Sequence, residues 1–255
     1  MSKTIFMIHG KWGNGDYWEN YRHYFESLGY TVLTPTLRYH EQNPTDEPHP
    51  KLGTTSLLDY CEDLEAQIRS LDEKPIIMGH SMGALLTQIL ASRNLGSAYV
   101  LITPASPAGI MALMPSVIKS FAAIMLKWGF WRKPHRQSFE AAQYSRLHLI
   151  PETEQRNEYA NDVYESGRAS FEIGFWLLDS RNASSVDETK ISQPMLIISG
   201  LDDRITPNSI HKKIASKYAP VAELKEYENH AHSIIHEPGG EEIAKDIEEW
   251  IIKLV

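Results

Sequence analysis

The stretch Ile76-Ile77-Met78-Gly79-His80-Ser81-Met82-Gly83-Ala84-Leu85-Leu86 constrains this chain more than any other. Ile76 to Met78 is a short unbroken apolar run, which predicts a buried strand of a parallel sheet. Leu85, Leu86, Ile89 and Leu90 then recur at helical spacing. Between the two lies Gly-x-Ser-x-Gly. A strand that passes directly into a helix through such a segment turns so sharply that side chains at positions 79 and 83 would collide with their neighbours. The turn lifts the Ser81 hydroxyl clear of the sheet and points the first amides of the helix at the space beside it. Five residues in isolation would equally describe a solvated serine in a turn. With the strand before and the helix after, they read as a nucleophile elbow.

A serine hydroxyl is a weak nucleophile near neutrality. It needs a base within hydrogen-bond reach, a carboxylate to hold that base, and donors for a developing oxyanion. His230, His232 and His236 near the C-terminus are candidate bases, and Asp202 and Asp203 after the run Pro194–Gly200 are candidate acids. The residues alone leave both choices open.

Around the elbow, short apolar runs alternate with amphipathic stretches. Strands are predicted at Thr4–Ile8, Tyr30–Leu33, Ile76–Met78, Ala98–Ile102, Met195–Ser199 and Val221–Tyr227. Asp16 is placed to cap a helix through Leu28, and Thr55 or Ser56 one whose apolar face is Leu57, Leu58, Cys61, Leu64, Ile68 and Leu71. Ser209–Tyr218 and Glu241–Leu254 are the last two predicted helices. This alternation predicts an α/β fold, a doubly wound, mostly parallel sheet of about six strands with its active groups at the carboxyl ends of strands. From Pro104 the alternation stops and a wholly helical stretch is expected. Residues 104–190 are read as an inserted cap, with 1–103 and 191–255 forming the core.

A chain of 255 residues can bury a full core. Its formal net charge of -8 argues against nucleic acid as a partner, since phosphate contacts require a surplus of Lys and Arg. The single cysteine, Cys61, cannot form an internal disulfide or a cysteine-based zinc site, and on the apolar face of its helix it reads as a packed thiol. His40, Glu41, Asp46, Glu47 and His49 fall in a long proline-interrupted loop whose spacing fits no metal site, so a solvated loop near the site entrance is expected, with no metal or cofactor. No apolar run approaches the roughly 18–20 residues of a transmembrane helix, and the N-terminus lacks a secretory core; the cytoplasm is the expected compartment.

In this order, His9-Gly10, Gly79-His80-Ser81-Met82-Gly83, Gly200-Leu201-Asp202-Asp203-Arg204-Ile205-Thr206-Pro207 and His232 resemble the motifs of the α/β-hydrolase superfamily. The likeness spans nearly the whole chain apart from the cap, and implies that fold without its N-terminal hairpin. It selects Asp203 as the acid, through the G-x-x-D-x-x-x-P spacing, and His232 as the base, ahead of Glu237-Pro238. Ala231 stands where the superfamily usually has glycine. His236 is expected under the final helix. Lys11 and Met82 are implied as oxyanion donors through their backbone amides, and His9 and His80 as scaffold. Relatives with aspartate at the elbow, the epoxide hydrolases and haloalkane dehalogenases, attack alkyl carbon. Ser81 instead implies an acyl-enzyme and a serine carboxylesterase acting on small-molecule acyl substrates, lipid-like ones included. Thioesterase, lactonase, lipase, perhydrolase and hydroxynitrile-lyase chemistry share the scaffold, as do receptor-like members with little turnover. Oligomeric state is left open.

Within the cap, Val117, Ile118, Phe121, Ile124, Met125 and Trp128 form one predicted helical stripe over Ser116–Trp128. Trp12, Met111, Met114, Phe121, Met125 and Trp128, with Trp131, are the candidate lining of an apolar acyl pocket. No Asp or Glu occurs from Lys74 through Phe139, whereas Lys119, Lys127, Arg132, Lys133 and Arg136 cluster there. This suggests a positive lid that would draw an acidic substrate or an anionic lipid surface.

Overall fold

The computed structural model describes residues 2–254. Six parallel strands, β1 (Thr4–Ile8), β2 (Thr31–Leu33), β3 (Ile76–His80), β4 (Ala98–Ile102), β5 (Met195–Gly200) and β6 (Ala222–Tyr227), form one sheet in the order β2-β1-β3-β4-β5-β6. The strand sequence runs one way from β1 to β2 and the other way from β3 to β6. This reversal opens a crevice between the carboxyl ends of β1 and β3, where doubly wound sheets hold their ligands. Ile8 pairs with Gly79, so the loop after β1 runs beside the elbow.

The α-helices are α1 (Glu19–Ser27), α2 (Leu57–Arg69), α3 (Met82–Ser92), α4 (Pro115–Met125), α5 (Phe139–Ala142), α6 (Gln155–Ala160), α7 (Gly167–Gly174), α8 (Asn208–Lys217) and α9 (Gly240–Lys253). Strand residues alternate between two cores. Phe6, Ile8, Ile77, Leu101 and Ile197 pack with α2, α3 and α8. Ile5, Met7, Ile76, Val100 and Ile198 pack with α1 and α9. Because both faces are covered, strands β3 and β4 are buried at every position, which is why they read as continuous apolar runs. Cys61 is fully buried in the first core, and burial pushes its thiol up to about 12, which leaves it inert as a nucleophile.

Several local expectations shift. Asn14, not Asp16, supplies the cap, and a 3-10 turn at Gly15–Trp18 precedes α1. Of the two candidate caps expected for α2, Thr55 and Ser56, the structure uses Ser56, in a capping box with Asp59. The 103–194 insert between β4 and β5 is not wholly helical. It combines short α-helices with 3-10 turns, a π turn at Gln143–Leu147 and an antiparallel bridge between His135 and Glu165. Helix α4 also ends at Met125, earlier than the apolar stripe suggested, and Gly129 (φ 77°) reverses the chain beyond it.

Buried polar contacts fix the insert to the body. Glu172 on α7 accepts from Ser56 Oγ and from Leu57 N, both at 2.8 Å, so a carboxylate sits on the N-terminus of α2. Glu165 accepts from Tyr60 Oη at 2.9 Å and faces His40 Nε2 at 3.3 Å. His40 is therefore wholly buried, not part of a solvated loop. Among the described residues no group of His, Cys, Asp and Glu is arranged to hold a metal, and no helix is long and apolar enough to cross a membrane.

Candidate active site

Ser81 has φ 54° and ψ -116°, a strained conformation for any residue with a Cβ. Hydrogen bonds on both sides hold it there: its N–H donates to Ile102 O at 3.0 Å, and its carbonyl accepts from Ala105 N at 3.0 Å. Gly79 and Gly83 are needed because of close approach. A Cβ on Gly83 would strike the backbone carbonyls of Ile8 and His9, and one on Gly79 would strike Gly83 O and Thr87 Oγ1. The elbow is thus pressed against the end of β1, which brings the loop His9-Gly10-Lys11 alongside the serine.

The loop after β6 delivers His232. Its Nε2 lies 2.9 Å from Ser81 Oγ and its Nδ1 2.8 Å from Asp203 Oδ2. A carboxylate can only accept, so Nδ1 carries the proton and Nε2 is free to accept from the serine. Asp203 Oδ1 accepts from Ile205 N at 2.7 Å and Thr206 N at 2.8 Å. Burial opposes ionisation of Asp203. The fields of His232 and His211, the hydrogen bond from His232 and the Thr206 amide outweigh it and hold the carboxyl well below the usual range.

The alternatives to these residues point elsewhere. Asp202 is exposed, and its N–H donates to His230 O at 2.9 Å. His230 faces Glu237 at 3.2 Å. His236 bridges Tyr17 O and Glu158 Oε2, each at 2.8 Å, and so ties the C-terminal loop to the insert. His9 is scaffold, since its Nε2 accepts from Leu37 N at 3.0 Å and burial lowers its pKa to about 3.

Sequence reasoning missed two polar partners. Thr206 Oγ1 donates to Asp203 Oδ2 at 2.8 Å and lies 3.2 Å from His232 Nδ1. His80 Nε2 donates to His232 O at 2.8 Å, and its ring is a wall of the cavity, so it bears directly on the position of His232. Thr206 lay within the motif that singled out Asp203, but spacing cannot tell where a hydroxyl points.

Lys11 and Met82 both line the cavity above Ser81, and neither backbone N–H has an acceptor among the described residues. Gly10 leaves the room they need, because a Cβ there would lie 2.9 Å from Ser81 Cβ and from His80 Nδ1. Trp12, Met111, Phe121 and Met125 also line the cavity, with Ile110, Val117, Ile124, Phe130, Ile173 and Phe175. Met114, Trp128 and Trp131 do not. Met114 packs on the core below α8 and its sulfur takes the Ser209 hydroxyl at 3.4 Å. Trp128 falls beyond the end of α4 and is 86% exposed, and Trp131 joins the aromatic cluster behind the cavity. The basic residues Lys119, Lys127, Arg132, Lys133 and Arg136 are likewise absent from the lining. Lys119 stacks on Tyr144 at 3.8 Å, and Arg136 donates to Pro44 O at 2.8 Å.

A strained serine, a histidine and a buried carboxylate meet beneath an apolar cavity at the sheet's switch point, and the family model for "Serine aminopeptidase, S33" matches residues 1–239. The chain belongs to that family of hydrolases. Solved structures share its α/β-hydrolase fold over nearly their full length. A methylesterase from Arabidopsis superimposes with a TM-score of 0.74 at 11% identity, covering 97% of this chain and 98% of that one. A pyrethroid hydrolase from Sphingobium faniae JZ-2 gives 0.69 at 16% identity, covering 98% and 97%. A monoacylglycerol lipase from Paleococcus ferrophilus gives 0.69 at 18% identity, covering 98% and 94%. No curated protein matches the sequence.

In this S33-family hydrolase the sheet of six parallel strands is the frame, and the loops at its carboxyl edge carry the polar groups of the site.

Proposed function

We propose that this protein is a serine carboxylesterase. Ser81 attacks the acyl carbon, His232 Nε2 takes the hydroxyl proton and returns it to the departing alcohol, and Asp203 holds His232 and stabilises its charged form. The amides of Lys11 and Met82 donate to the oxyanion, and water then releases the acid from the acyl-enzyme by the same steps. The 103–194 insert acts as the cap that shapes the acyl pocket. The carrying observation is the 2.9 Å contact between Ser81 Oγ and His232 Nε2 at the floor of an apolar cavity.

The pocket's chemistry favours an ester over the peptide that the family's name suggests. An aminopeptidase site must bind an α-ammonium group, and a carboxylate is the natural partner for one. The lining of this cavity includes Lys11 and Arg146 and no Asp or Glu among the described residues. The names of the structural neighbours, a methylesterase, a pyrethroid hydrolase and a monoacylglycerol lipase, support ester cleavage by analogy of fold.

Fluorophosphonate labelling and turnover of p-nitrophenyl esters of graded chain length test this reading. Ser81→Ala is expected to abolish labelling and to cost roughly 10⁴–10⁶-fold in kcat. Turnover by wild-type protein no faster than by Ser81→Ala would refute it, and would favour a receptor-like role.

A further inference from the structure

Residues that line the cavity above Ser81 carry donors that the protein itself leaves unmet. The indole Nε1 of Trp12 and the guanidinium Nε of Arg146 are buried without a hydrogen-bond partner. Lys11 Nζ forms neither a hydrogen bond nor an ion pair among the described residues and lies 4.9 Å from the Phe121 ring centroid. These groups surround one aromatic pair. The rings of Trp12 and Phe121 stack at 6.1 Å, and the Arg146 guanidinium lies 5.8 Å from the Trp12 ring.

Burial raises the cost of such groups. An unpaired buried donor costs about 1–3 kcal/mol, and a cation without a counterion costs more. Arg146 is partly neutralised, because its Nη2 is paired with Asp162. Lys11 is not. The acid whose field reaches it is Glu165, whose oxygens are already engaged by Tyr60, by Ser166 N and by His40. A neutral ester carbonyl could accept from Trp12, but it would leave the Lys11 charge uncompensated. A carboxylate supplies both the acceptors and the charge.

We propose that Lys11 Nζ, with the side chains of Trp12 and Arg146 in the same cavity wall, forms a carboxylate subsite beside Ser81, so that the substrate is an ester bearing a second, ionised carboxyl group. This assignment rests on Ser81 acting as an ester hydrolase. The carboxylate belongs to either the acyl or the alcohol part, and matched substrates separate the two.

The test compares kcat/KM for mono-p-nitrophenyl adipate with p-nitrophenyl hexanoate, and for p-carboxyphenyl hexanoate with p-carbamoylphenyl hexanoate. Wild-type protein is expected to prefer the charged member of one pair by about tenfold or more, the span of a charge-assisted hydrogen bond. Lys11→Met should bring that ratio close to one, mainly through KM, whereas Lys11→Arg should keep most of it. The ratio guards against a general effect on the oxyanion loop, which would slow both esters alike.

A second readout needs no variant. Burial pushes the Lys11 ammonium down to about 8, against the favourable field of Glu165. The other ionisable groups around it are His9 and His135, which burial holds at about 3, with His40, His80, Arg146 and His232. His232 serves both esters of a pair, so its contribution to the rate cancels in the ratio. The preference for the charged ester should therefore fade as pH rises through about 8.

Binding to Ser81→Ala, followed by tryptophan fluorescence, separates failure of the subsite from failure of the esterase reading. Tighter binding of monomethyl adipate than of dimethyl adipate, without turnover by wild type, would keep the subsite and remove the esterase. Equal rates and equal binding for charged and neutral partners would remove the subsite. A charge preference that survives Lys11→Met unchanged would do the same.

Discussion

Thr206 donates its hydroxyl to the Oδ2 of Asp203 at 2.8 Å, the same oxygen that takes the proton of His232 Nδ1. A carboxylate oxygen shared by two donors is fixed in direction, and so is the imidazole it holds. Thr206→Val removes that second donor without altering the shape of the side chain. The expected outcome is a fall of about tenfold in kcat with KM nearly unchanged, consistent with losing one hydrogen bond to a charged acceptor. Thr206→Ser should recover most of the rate in the same steady-state assay.

Gly83 lies so close to β1 that a methyl group would meet the carbonyls of Ile8 and His9. Those atoms belong to the end of β1 and the residue that follows it, backbone that cannot move aside. Gly83→Ala is expected to lower stability by roughly 2–4 kcal/mol, in line with overpacking against backbone, and to reduce activity in parallel. Urea titration of the variant, with its midpoint compared to wild type, checks this.

Burial holds His9 and His135 at about 3 and His211 at about 4, and keeps His80 well below its ordinary value, so these rings are neutral when folded. In the unfolded chain each takes a proton near pH 6.5. The unfolded state therefore binds more protons in acid, and stability contributed by these rings is lost as pH falls below about 6.5. His40 has the opposite sign. Burial lowers its pKa, but the field and hydrogen bond of Glu165 raise it further, so it stabilises the fold below pH 6.5 and loses that contribution as pH rises. The neutral rings outnumber it. Unfolding free energy should drop by several kcal/mol between about pH 6.5 and 4.5, at about 1.4 kcal/mol per pH unit for each net proton. Denaturant titrations across that range measure the slope, and His211→Asn should reduce it.

Trp128 and Phe121 come from the same predicted stripe but have different surroundings. Trp128 is 86% exposed beyond the end of α4, while Phe121 stacks on Trp12 in the cavity wall. Trp128→Ala should leave the dependence of rate on acyl chain length unchanged. Phe121→Ala opens the cavity, and should move the preferred chain longer and weaken binding of the shortest esters by about tenfold, the scale of a lost aromatic contact. A p-nitrophenyl ester series on both variants makes the comparison.

The sequence by itself determined the parallel sheet, the elbow at Ser81 and the order in which the polar motifs arrive. All of these rest on short-range physics: apolar period, glycine sterics and the residues that start and stop helices. Its errors were mostly local competitions. Asn14 rather than Asp16 capped the first helical segment, and α4 ended at Met125, so the stripe failed to carry Trp128 inward.

Motif resemblance had already selected Asp203 and His232 from their neighbours; only the tertiary structure decided the distances at which they meet each other and Ser81. It also decided that Thr206 faces Asp203, that His40 is buried against Glu165 from 125 residues away, and that Lys11 and Arg146, not the basic stretch from Lys119 to Arg136, present charge to the cavity. The physical reason is range. A side chain's direction is set by what packs against it, and those partners arrive from strands and inserts far along the chain, where sequence spacing carries no information about contact.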